Sequence, residues 1–199
     1  LLDDPEPEAA LGLVPDARIA LWPAVLDKRG RPLGYDPSAL RLQTTGPVSA
    51  GLDEDGALVI SADGEAGESG LVELGLGDHT LATVDVVLAD PRQLDALELY
   101  TVVLGEEEES VVVLLAMGRL ADGRRVYGLE PEWSWKDPGG LVADESDSEL
   151  ERPDLLVLEA EKPDLPIEVR AEVGSLVAEE LHEPGWLGKV RRPLPELDL

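Results

Sequence analysis

Asp27-Lys28-Arg29-Gly30-Arg31-Pro32-Leu33, followed by Leu40-Arg41-Leu42, has a second copy in Asp122-Gly123-Arg124-Arg125-Val126, followed by Trp133-Ser134-Trp135. Gly30-Arg31 matches Gly123-Arg124, Leu40 and Leu42 match Trp133 and Trp135, and Val48 matches Leu141, each pair 93 positions apart. A constant offset between two stretches of one kind predicts duplication of a compact unit. An acidic residue and a glycine let the backbone reverse, and the segments on either side then run as strands.

Working outward, short apolar runs bounded by Gly, Pro or Asp predict strands throughout. In the first half these are Ile19–Leu26, Leu40–Thr45, Leu58–Ser61, Leu71–Leu76 and Thr80–Leu88. The second half gives Ala96–Leu104, Ser110–Met117, Pro131–Lys136, Leu155–Glu161, Ile167–Val173 and Ser175–Leu181. Gly77-Asp78 reads as a tight hairpin turn, and Glu106–Glu109 as a charged hairpin tip. Strand spacings of ~8–12 residues favour sandwiches over α/β layers. The expected fold is all-β, two tandem immunoglobulin-like β-sandwiches. An acidic, proline-bearing tether occupies 1–10, the first sandwich 11–90 and the second 94–183, and a proline-punctuated tail follows at 186–199.

Sixteen basic residues against forty-three acidic ones give a formal charge of −27, which repels nucleic acids and anionic lipid headgroups. Such a surface invites cations, basic partner surfaces or water. The same acid-rich, lysine-poor bias arises from high-salt habitats and from GC-rich coding. With no cysteine, disulfides, thiolate nucleophiles and cysteine-based metal sites are excluded. No run reaches the ~18 apolar residues of a membrane helix, so any lipid anchor or signal peptide is expected upstream of Leu1.

Two constellations stand out. Trp133 and Trp135 share one face of a strand, because successive side chains alternate. Facing solvent they would form a stacking platform for a sugar; facing inward they would fill the core. Their matched positions are Leu40 and Leu42, so the core is expected. The second constellation is the acidic turns, in which Asp53, Asp55, Asp63, Glu65, Asp144 and Asp147 could supply the six to eight oxygens that calcium takes. None follows an EF-hand spacing, and solvated acidic loops are the expected reading, so no cofactor is assigned. His79 and His182 sit with neither a nucleophile motif nor zinc spacing, and no catalytic residue is expected.

The turn and central-strand segments resemble the bacterial immunoglobulin-like (BIG-type) domains that occur in tandem in adhesins and other cell-envelope proteins. The resemblance covers about Leu11 to Glu183. A glycine-rich approach to the penultimate strand is plain at Gly67 to Gly70, whereas Lys162-Pro163-Asp164-Leu165-Pro166 makes the corresponding turn in the second half. The resemblance implies a non-catalytic spacing or interaction role in the periplasm, at the cell surface or outside the cell. A protein partner or self-assembly would follow from that role. The alternative is a carbohydrate- or calcium-binding sandwich.

Overall fold

In the second copy of the repeated turn, Asp122 Oδ1 accepts the Arg124 N–H at 3.1 Å and Gly123 takes φ 89°. Leu120 and Arg124 then close the reversal, the Leu120 N–H reaching the Arg124 carbonyl at 2.9 Å. The computed structural model describes residues 10–21, 25–26, 31–34, 36–54, 56–106, 109–136, 141–143, 152–160 and 167–182. Among them there is no α-helix; two 3-10 turns, Pro37–Ala39 and Pro91–Gln93, interrupt the strands. The chain divides between Asp90 and Pro91 into two compact units.

The first unit holds β1 (Leu11–Leu13), β2 (Arg18–Leu21), β3 (Val25–Leu26), β4 (Pro32–Leu33), β5 (Leu40–Thr45), β6 (Val48–Leu52), β7 (Leu58–Ala62), β8 (Ser69–Leu76) and β9 (His79–Leu88). One sheet runs β2-β7-β6 and the other β1-β9-β8-β5, while β3 and β4 form a separate ribbon. The first-to-last pairing, β1 with β9, is parallel; the remaining pairs are antiparallel. Leu11, Leu13, Ile19, Leu58, Ile60, Val72, Val84, Val86 and Leu88 fill the space between the two sheets. Gly77 (φ 59°) takes the first central position of the two-residue turn between β8 and β9, where a hairpin of matching twist needs positive φ. Leu81 is the extra residue of a bulge in β9 and projects into solvent.

The second unit holds β10 (Leu94–Glu106), β11 (Glu109–Leu120), β12 (Arg125–Tyr127), β13 (Glu132–Lys136), β14 (Leu141–Ala143), β15 (Leu155–Ala160), β16 (Ile167–Val173) and β17 (Leu176–His182). β10, β11, β15 and β14 lie in one sheet in that order, β12 joining the far end of β11, and β13-β16-β17 form the other. In chain order these are first-second-fifth-fourth against third-sixth-seventh once β12 is set aside, the strand plan of an immunoglobulin constant-type sandwich. The first unit has the same plan with its opening strand moved across to the last strand. Leu114, Met117, Leu129, Leu158, Val169 and Ala171 form the aliphatic core that a chain without Phe requires.

Counted between first residues, the offset is 92 from β5 to β13 and 93 from β6 to β14, then 97 from β7 to β15 (Leu58 to Leu155) and from β9 to β17. Between β6 and β7 the first unit has 53–57, between β14 and β15 the second has 144–154, and β14 is two residues shorter than β6. Of the strand expected over Ile19–Leu26, residues 19–21 lie in β2 and 25–26 in β3, while 22–24 lie outside the described residues. The tether and tail, Trp22, Trp186 and the Lys162–Pro166 turn lie outside the described residues.

Candidate functional site

Pairing across β13-β16-β17 fixes which side chains share a face. Glu132, Glu172 and Val177 form one cross-strand row; Ser134, Arg170 and Glu179 the next; Lys136, Glu168 and Leu181 the third. All lie on the outer face, since the intervening Val169, Ala171 and Ala178 are buried. Lys136 Nζ donates to both Glu168 oxygens, at 3.1 and 2.9 Å. Arg170 donates through Nε to Glu172 (2.5 Å) and through Nη1 to Glu179 (2.7 Å), and these carboxylates, Glu172 foremost, hold its guanidinium above its ordinary pKa. Ser134, Trp135, Lys136, Glu168, Arg170 and Glu179 border a shallow groove of about 220 Å³. Val177 and Leu181 stand exposed beside it. Both cations of this face sit in cross-strand or neighbouring ion pairs. The floor therefore offers contact and hydrogen bonding.

Trp133 and Trp135 occupy the opposite, inward face, aligned with Ala171 and Val169. The expectation that both fill the core needs correction: Trp135 is 36% exposed and Trp133 half-buried. The reason is position within the sheet. Among the described residues β13 pairs with β16 alone, so its inward side chains sit at the rim. The matched Leu40 and Leu42, on the edge strand β5, are half-buried too. Trp133 completes its polar contacts by donating Nε1–H to the Pro153 carbonyl at 3.0 Å.

The acidic candidates are scattered. Asp53 Oδ1 accepts the Ala57 N–H at 2.7 Å and closes the β6–β7 turn. Asp63 Oδ2 accepts from Ser49 Oγ at 3.2 Å, and the Glu65 N–H donates to Glu68 Oε2 at 2.6 Å. Among the described residues no three His, Asp or Glu side chains converge as metal ligands. Asp55, Asp144 and Asp147 lie outside the described residues. His79 opens β9 in an exposed position and His182 closes β17, paired in register with Ile167.

A polar cluster that sequence reasoning missed lies at the start of β15. Asp154, immediately before β15, is 0% exposed. Arg152 clamps it through Nε to Oδ1 (3.0 Å) and Nη2 to Oδ2 (2.8 Å), and the Gly128 N–H reaches Oδ2 at 3.1 Å. Its own carbonyl accepts the Ala116 N–H at 2.8 Å. Tyr127 lies in the same region; burial pushes its phenol above the ordinary pKa, and Arg125 partly offsets that rise. Arg125 donates to Tyr100 OH at 3.3 Å with its guanidinium 5.7 Å from the ring centre. The cluster ties β15 to β11 and to the β12–β13 link. The available signal was weak: an arginine two residues before an aspartate, inside a run rich in acids.

No protein-family model and no curated protein sequence matches the chain. Among solved structures it is similar to domains 5-6 of the surface layer protein SbsC, at 12% identity and a TM-score of 0.49, with 91% of this chain and 95% of that one covered. Against domains 4-9 of SbsC the identity is 11% and the TM-score 0.49, and the match covers 87% of this chain but 29% of that one. Against FdeC, an adhesin of Escherichia coli, the values are 19% and 0.30, covering 88% and 60%. With TM-scores below 0.5, the ground for the fold is the strand order described above.

Proposed function

We propose that the chain is a non-catalytic spacer or interaction module of the bacterial envelope or extracellular space. It would hold or present a protein partner, or a further copy of itself, through immunoglobulin-type sandwiches of the BIG kind. The observation that carries this reading is the outer face of β13-β16-β17. There Lys136 and Arg170 are engaged by Glu168, Glu172 and Glu179, beside exposed Val177 and Leu181. Such a face, its cations already matched by carboxylates beside exposed apolar side chains, is suited to contact. The charge of −27 speaks against a nucleic-acid partner, and among the described residues no helix is long and apolar enough to cross a membrane. The reading agrees in kind with the surface-layer and adhesin proteins compared above, while resting on the geometry. Protease treatment of intact and of outer-membrane-permeabilised cells tests it: digestion without lysis is expected. Protection until the cytoplasm is opened would refute it.

A second reading, a carbohydrate- or calcium-binding module, is favoured by the exposure of Trp135. Glycan-array binding that disappears in Trp135→Ala would support the sugar form. For calcium, melting against chelator should show about 2.7 kcal/mol of added stability at a hundredfold excess over Kd. Blank results in both assays would retire this reading.

A further inference from the structure

The first unit joins its first and last strands in a parallel ladder, Leu11 opposite Val86, Gly12 opposite Val87 and Leu13 opposite Leu88. Parallel strands run the same way, so the chain enters this unit at one end of the ladder and leaves it at the other. Tension applied along the chain therefore slides β1 against β9 and strains the ladder's bonds together. In an arrangement where entry and exit share one end, the bonds would break singly, in sequence.

The exit is also tied down. The Ala89 N–H donates to the Leu13 carbonyl at 2.7 Å, the Leu88 N–H to the Glu68 carbonyl at 2.9 Å, and the Leu88 carbonyl accepts the Gly67 N–H at 2.7 Å. Leu11, Leu13, Val86 and Leu88 are all buried, so sliding the strands also drags apolar side chains through the core. We propose that this ladder is a mechanical clamp, and that the first unit carries tension along the chain as a component of its task. The proposal deepens the spacer reading and rests on it, since a spacer transmits load between what it joins.

Force spectroscopy on the full chain tests it. The chain lacks cysteine, so one cysteine added at each terminus gives a defined pulling axis. Release of residues 11–89 should lengthen the tether by roughly 28 nm, at ~3.6 Å per residue, less the folded span. Ala89→Pro deletes the donor to Leu13, and Val86→Ala trims the packing across the ladder and keeps the test alive should the proline variant not fold. Ile60→Val, on β7 in the other sheet, lowers melting temperature while leaving every ladder residue and ladder hydrogen bond in place. The expected result is loss of the high-force step in the ladder variants, its length unchanged, at a melting temperature where Ile60→Val retains it. Unfolding force that follows melting temperature alike in all variants overturns the clamp. Protease accessibility on cells is independent of this outcome, so a failed clamp and a failed spacer reading are separable.

Discussion

Asp154 and Arg152 form a buried ion pair whose desolvation is offset by two hydrogen bonds between them and a third from the Gly128 N–H. Removing one partner strands the other charge in the core. Asp154→Ala should therefore cost about 3–5 kcal/mol, and the double variant with Arg152→Ala less than the sum of the singles, by urea denaturation. Tyr127 makes a prediction of opposite pH sense to a carboxylate. Its folded-state pKa is raised by burial, so the folded chain keeps the proton where the unfolded chain loses it. The stabilisation is complete below about pH 10, the unfolded value, and is lost as pH climbs through the folded pKa. Tyr127→Phe should flatten that alkaline decline in chemical denaturation, whereas an unchanged slope would assign it to other groups. Neither residue was legible beforehand. Acids are so common here that one buried among them carries no distinguishing pattern, and Tyr127 sits on a strand of three residues.

The long strands β8 to β11 and β15 to β17 were readable, because each combines an apolar run with a Gly, Pro or acidic stop. β1, β6, β12 and β14 were not read as strands: three to five residues give no period to count. They exist because a neighbouring strand supplies their partners, which is tertiary information. The tryptophan pair shows the same limit. Alternation gave its face correctly, while its burial depended on β13 lying at a sheet edge. Glycines separate local from tertiary demands as well. Gly77 has positive φ but open space where a Cβ would go, so Gly77→Ala carries backbone strain alone, about 1 kcal/mol. At Gly46 an added Cβ would lie 2.5 Å from the Ser69 carbonyl oxygen in addition to the positive φ. Gly46→Ala should therefore lower the melting temperature clearly more than Gly77→Ala, and the reverse order would disprove the steric account.

For the molecule as a whole, charge sets the response to solution conditions. At −27 the folded chain repels itself, and salt relieves that repulsion over a Debye length of about 8 Å at 0.15 M. Melting temperature should rise with sodium chloride and level off by roughly 0.2 M. A continued climb into the molar range would indicate specific ion uptake by an acid surface suited to brine. The duplication leaves a practical legacy too. Since residues 53–57 separate β6 from β7 while 144–154 separate β14 from β15, added length has already been absorbed there once. Lengthening such a connection twofold costs only about 0.6 kcal/mol in closure entropy. A passenger epitope spliced between Ala143 and Arg152 should consequently leave the melting temperature within a few degrees, which would turn that stretch into a display site for foreign peptides.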